Sequence, residues 1–126
     1  MTLRIGITGG GSTVDRIIDQ AAEAESDGFT SLWYGGGGRG MDVLTVLPLV
    51  GRATSRIELG TAIVQTYPRH PILMAQQAAT ASHAMGGGRF TLGVGVSHRP
   101  VIEAIYGLSY DSNARHLHEY LTVLGA

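Results

Sequence analysis

The 126-residue sequence contains no cysteine. That excludes a disulfide framework and any thiolate metal site. Charged residues are scarce, at 15%, and nearly cancel to a formal net charge of −1. With no basic patch or run, the chain offers no electrostatic case for nucleic acid or an anionic membrane. No stretch approaches the ~18 consecutive apolar residues of a membrane span. The opening MTLRIGITGG has neither the apolar core nor the cleavage site of a secretory leader, so a cytoplasmic setting is expected.

What is present is a 44% hydrophobic composition, enough for one compact domain over residues 1–126, and 19 glycines. Average usage of ~7% would give roughly 9 glycines. The excess clusters at Gly9–Gly11, Gly35–Gly38 and Gly86–Gly88, with periodic apolar segments between, so the clusters read as turns.

The segments alternate in type. Leu3–Ile7 reads as a strand, and Ser12 is placed to cap a helix carrying Val14, Ile17, Ile18, Ala21 and Ala22, which Gly28 ends. Phe29–Tyr34 is a second strand. Asp42 then caps a helix through Val50, in which Pro48 predicts a kink or a late start. Arg56–Val64 is a third strand, followed by a helix from Pro71 to Met85. Arg89–Val96 is a fourth strand, followed by helices at Pro100–Tyr106 and Ser112–Leu124.

Four strands alternating with helices every ~30 residues describe four βα units and an α/β fold with a parallel sheet. Two architectures fit. One is a small doubly wound open sheet. The other is half of a (β/α)8 TIM barrel, which needs about 250 residues when complete. A half barrel predicts two open sheet edges and an uncovered apolar inner face, so a homodimer or larger assembly is expected.

The segments IELGTAIVQTYPRHP, MAQQAAT, GGGRFTLGVGVSHRP and GLSYDSNARHLHEYLTVL decide between them. They resemble the N-terminal half of luciferase-like monooxygenases, in the branch that uses the deazaflavin coenzyme F-420. The resemblance is strongest from residue 56 onward and weakest around 35–41. It implies a half-barrel (βα)4 domain, a coenzyme (F-420 or FMN) at the C-terminal mouth of the strands, and a small-molecule substrate. It implies hydride transfer or monooxygenation as the activity. It also implies that the phosphate grip belongs to the other half of the barrel. In similar proteins a non-prolyl cis peptide or a bulge in the third strand backs the flavin ring, which the resemblance places at Ala62–Ile63.

The candidate site residues follow the third and fourth strands. Gln65, Thr66 and Tyr67 supply an amide and hydroxyls of the kind a flavin's carbonyls and ring nitrogens require, with a solvated loop as the alternative. Ser97 and His98 stand at a strand's C-terminal end, suited to polar contact or proton transfer, and His98 is the catalytic candidate. Arg99 is a candidate partner for an anionic coenzyme tail. His98 also fits as a helix-start residue before Pro100. His70, beside Pro71, is expected to fix its loop.

Tyr34 stands where several relatives carry a catalytic histidine, so that group is missing. The pattern Gly35-x-Gly37-x-x-Gly40, with Glu58 beyond it, formally matches a dinucleotide fingerprint, but a glycine run produces it almost by default. His83, His116 and His118 show no metal-ligand spacing, and Arg115 and Glu119 are expected to form a surface pair.

Two functions follow. One is an oxidoreductase of the flavin or deazaflavin type. The other is a non-catalytic half barrel that dimerises into a closed eight-stranded barrel. A weaker third is a nucleotide-binding open sheet using Gly35–Gly40.

Overall fold

The computed structural model describes residues 3–36 and 40–126. Strand β1 is Gly6–Gly9, helix α1 Val14–Ser26, strand β2 Ser31–Gly36, helix α2 Val43–Ala53 and strand β3 Glu58–Gln65. Helix α3 is Pro71–Ala84, the short strands β4 and β5 are Phe90–Thr91 and Val94–Gly95, and helices α4 and α5 are Arg99–Tyr106 and Asn113–Leu124. The sheet is parallel throughout and runs β1-β2-β3-β4, with β5 also on β3. This is the α/β architecture of four βα units.

The caps explain the helix starts. Asp42 accepts from Thr45 N at 3.0 Å and opens α2, as expected. His70 caps α3 by accepting from the Ile72 N–H at 3.2 Å, with Pro71 in the first turn where no N–H is needed. The cap of α1 is Thr13 and not Ser12; its hydroxyl accepts from Arg16 N at 3.3 Å. Pro48 does not delay α2, which starts at Val43 and runs through it.

The strand bounds shift as well. β1 begins at Gly6, three residues after the expected Leu3. The expected fourth strand is two short pieces separated by Leu92 and Gly93. The reason lies in β3. Between its β2 partners Tyr34 and Gly36, two steps apart, β3 advances three, from Thr61 to Val64. Between Thr91 and Val94, three steps apart, it advances four, from Gly60 to Val64. β3 therefore carries one extra residue relative to both neighbours, a bulge, and the neighbouring ladder breaks opposite it. The bulge contains a cis peptide bond between Ala62 and Ile63.

Rows across the sheet separate its two faces. Ile7, Leu32, Leu59 and Phe90 form one row and pack against the helices with Ala21, Leu47, Val50 and Met74. The rows Gly6–Ser31–Glu58 and Thr8–Trp33–Gly60–Thr91 face the other way. A Cβ on Gly60 would overlap the Trp33 ring, so the indole lies against the β3 backbone there. Arg4 and Thr91 both bond the Glu58 carboxylate, at 2.5 Å each.

These two rows are less apolar than expected, while Ala62, Ile63 and Val101 stand further along toward the strand ends. Those rows hold glycine, serine, threonine and glutamate around a single tryptophan. The uncovered apolar side chains include Leu3 and Ile5, 74% and 50% exposed, just before the edge strand β1. Among the described residues, Arg115 and Glu119 form no ion pair, contrary to expectation.

Candidate functional site

The C-terminal ends of the strands meet at one mouth. There a cavity of about 440 Å³ is lined by Gly35 and Gly36 of β2, Ala62, Ile63 and Gln65 of β3, and Ser97, His98 and Val101 after β5. The size lies within the usual ~300–1,000 Å³ of small-molecule pockets. The bulge shapes its floor. Ala62 is exposed there, and Gly35 beside it adds no side chain. The floor is therefore small-sided at Ala62 and Gly35, beside a polar rim of Ser97 and His98.

Gly93 and Thr61 hold the bulge in place. Thr61 Oγ1 accepts from Gly93 N and donates to Gly93 O, both at 2.8 Å. A Cβ on Gly93 would collide with the Thr61 carbonyl, so the two strands approach this closely only with glycine there. The ladder resumes with Val64 N donating to the same Gly93 carbonyl at 2.8 Å.

The sequence candidates divide into two groups. Ala62, Ile63, Gln65, Ser97 and His98 line the cavity together. Thr66, Tyr67 and Arg99 are not part of its lining. Thr66 is buried and its hydroxyl bonds His116 Nε2 at 2.9 Å. Tyr67 stacks on His116 with ring centroids 3.9 Å apart, and on Tyr110 at 5.5 Å. These side chains dock α5 against the loop after β3. Arg99 is committed to Glu103 at 2.6 Å and Asp111 at 3.2 Å, with its guanidinium 5.4 Å from the centre of the Tyr110 ring. Arg69 is likewise paired with Asp42 and Gln77, and Arg89 is spent on backbone carbonyls.

His116 is the residue that sequence reasoning passed over. Spacing relative to His118 was the wrong signal, because its partners come from the loop after β3. Burial holds its imidazole below the usual histidine range, with Glu119 opposing weakly. Tyr34 lies on the helix side with its hydroxyl buried and unpartnered among the described residues. Burial pushes its pKa up to about 12, which leaves it a poor proton donor at neutral pH.

The dinucleotide fingerprint gains no support. Gly37 lies outside the described residues. Glu58 sits at the start of β3, the opposite end from the mouth, and is held by Arg4 and Thr91.

The sequence profile of the luciferase-like monooxygenases matches residues 2–126. The chain belongs to that family. Within the family it is 35% identical, over 82% of its length, to a Mycobacterium tuberculosis protein named as a coenzyme F-420-dependent oxidoreductase, of which it covers 29%. The solved F-420-dependent tetrahydromethanopterin reductase of Methanopyrus kandleri superposes with a TM-score of 0.77 at 28% identity, over 87% of this chain and 31% of that one. A Pseudomonas putida Baeyer–Villiger monooxygenase component, solved with FMN, shares the fold with a TM-score of 0.84 at 18% identity, over 98% of this chain and 38% of that one. The chain thus spans about a third of the length of these family members. The α/β fold with its parallel sheet agrees with these superpositions.

The cavity fits the ring of a flavin-type coenzyme. A planar tricycle needs a flat wall without projecting side chains, which Ala62 and Gly35 provide, and polar groups at its edge, which Ser97 and His98 provide. Among the described residues, Arg69, Arg89 and Arg99 are each engaged with other groups of the chain.

Proposed function

We propose that this chain forms one wall of the coenzyme site in a cytoplasmic flavin- or deazaflavin-dependent oxidoreductase, using FMN or F-420 on a small-molecule substrate. The observation that carries this reading is the bulged floor at Ala62–Ile63, set between the bare backbone of Gly35–Gly36 and the polar rim of Ser97 and His98. When bound, the coenzyme supplies the hydride or oxygen chemistry, and the protein supplies orientation and exclusion of water. The floor supports one face of the ring and leaves the other for substrate. Ser97 contacts the ring edge. His98, exposed at the rim, is the group placed to exchange a proton with substrate. Gln65 holds the rim in position.

A second reading draws on the sheet edges. Among the described residues, β1 has a partner on one side only, and so do the short strands β4 and β5. Leu3 and Ile5 stand uncovered near the β1 edge. Open edges and apolar side chains of this kind call for further strands and helices. A second copy supplies them if two half barrels close into one eight-stranded barrel, which serves either as a catalytic mouth or as a scaffold alone.

Size-exclusion chromatography with light scattering, with and without FMN or F-420, tests both readings. A species that carries coenzyme through the column supports the oxidoreductase reading. A dimer that leaves the coenzyme behind supports the scaffold. A monodisperse monomer at micromolar concentration overturns closure by pairing.

A further inference from the structure

Three side chains beneath the rim form a directional chain. Tyr106 of α4 donates its hydroxyl to Gln65 Oε1 at 2.9 Å. Gln65 Nε2 donates to Ser97 Oγ at 2.8 Å. Gln65 is buried, 5% exposed, so its amide has little water with which to exchange partners. An amide has a donor end and an acceptor end, and fixing one fixes the other. Tyr110 clamps the backbone of the same serine by donating to Ser97 O at 2.8 Å. It holds Ser97 at φ 63°, a conformation that serine seldom adopts.

The consequence falls on the Ser97 hydroxyl. It already accepts from Gln65, so its own hydrogen is free to point elsewhere. Ser97 lines the cavity above the bulged floor. We infer that Tyr106 and Gln65 act as positioning residues that preset Ser97 as a hydrogen-bond donor into the cavity. The site then selects a ring placed with an acceptor at that point, a carbonyl oxygen or an unprotonated ring nitrogen, and disfavours a placement that turns an N–H toward Ser97. The inference rests on the proposal that this cavity takes a flavin-type ring. FMN and the deazaflavin share the carbonyl-bearing pyrimidinedione edge, so the inference holds for both.

Two measurements on the full chain separate this inference from that proposal. The first needs no ligand. In a ¹⁵N-edited NOESY spectrum, the Gln65 side-chain amide protons should show cross-peaks to the Ser97 Hβ atoms and not to the Tyr106 ring. Cross-peaks to the Tyr106 ring instead mean a flipped amide and overturn the inference.

The second is a double-mutant cycle read by fluorescence titration with FMN and F-420. Ser97→Ala and Tyr106→Phe should each weaken binding about three- to tenfold, the scale of one hydrogen bond. The double variant should be no weaker than Ser97→Ala alone, because Tyr106 acts only through Ser97. Additive losses mean that Tyr106 is merely structural, and they overturn the inference. Correct cross-peaks in a protein that binds neither coenzyme uphold the preset donor and sink the coenzyme proposal.

Discussion

Thr61 and Gly93 exchange two hydrogen bonds through a single hydroxyl, which takes the place of backbone groups where β3 bulges. The extra residue in β3 removes the regular ladder at this point, and the threonine side chain restores it. Thr61 is 1% exposed, so its hydroxyl is shielded from water. Thr61→Val keeps the shape and deletes the hydroxyl. It strips the partly buried Gly93 N of a partner inside the protein, and a loss of about 1–3 kcal/mol is expected from the lost bond pair. Urea denaturation checks the size, and Thr61→Ser should recover most of it.

Trp33 reports on the opposite face. Its ring rests on the β3 backbone at Gly60, and its Nε1 donates to Ser31 Oγ at 3.0 Å. Gly60→Ala places a methyl group inside the ring's position and must lift the indole away. Trp33 is the sole tryptophan in the chain, so its emission is read directly. A red shift and a change in quenching are expected with little change in far-ultraviolet circular dichroism. An unchanged emission maximum would contradict this packing.

Arg89 ties the ends of two helices to the sheet. Its guanidinium donates to Gly51 O at 2.7 Å, Met85 O at 3.0 Å and Ile57 O at 3.0 Å, with Thr54 completing the set. A lysine ammonium reaches fewer of these acceptors because it lacks the planar fork. Arg89→Lys is expected to cost about 2–3 kcal/mol through the carbonyls left unpaired, and Arg89→Met more. Thermal melts of both variants, compared with Arg52→Lys on the exposed side of α2, measure the effect.

Glu25 links α1 to the start of β3. Its carboxylate accepts from the N–H groups of Ser55, Arg56 and Ile57 at 3.0, 2.6 and 2.8 Å. Burial opposes its ionisation, but the three backbone bonds prevail and lower its pKa from 4.5 to about 2. A carboxylate whose folded pKa is depressed stabilises the fold above its unfolded value, and that contribution fades as pH falls through the folded one. The contribution is therefore complete above about pH 5 and lost progressively between 4.5 and 2. Glu25→Gln should destabilise the protein at pH 7 and flatten the acid limb of its stability profile in that window. Equal pH dependence in both proteins would remove Glu25 from the account.

The alternation of strands and helices was legible from periodicity, because burial on one face of a helix or both faces of a parallel strand leaves a local trace. So were Asp42 as a cap and His70 as a loop anchor, since both act on residues two or three positions away. The motif resemblance located the β3 wall at Ala62–Ile63. It did not reveal which polar candidates would face the cavity. Thr66 and Tyr67 read as plausible coenzyme contacts, yet their partners are His116 and Tyr110, some 43 to 50 positions along the chain. Arg99 read as an anion partner until Asp111 and Glu103 came within reach.

The sequence by itself determined the βα order, the family and the segment that forms the cavity floor. These depend on local periodicity and on a motif that survives as a string. Tertiary structure decided which side of β3 each residue occupies. In a regular strand Val64 would share the face of Gly60, but the bulge inserts one residue and reverses the alternation. Val64 therefore packs in the core at 2% exposure while Gly60 lies under Trp33 on the other face. Side-chain facing in a strand has a period of two, so a single extra residue inverts everything after it. That inversion is fixed by Thr61 of β3 and Gly93 between β4 and β5, two residues that only the folded chain brings together.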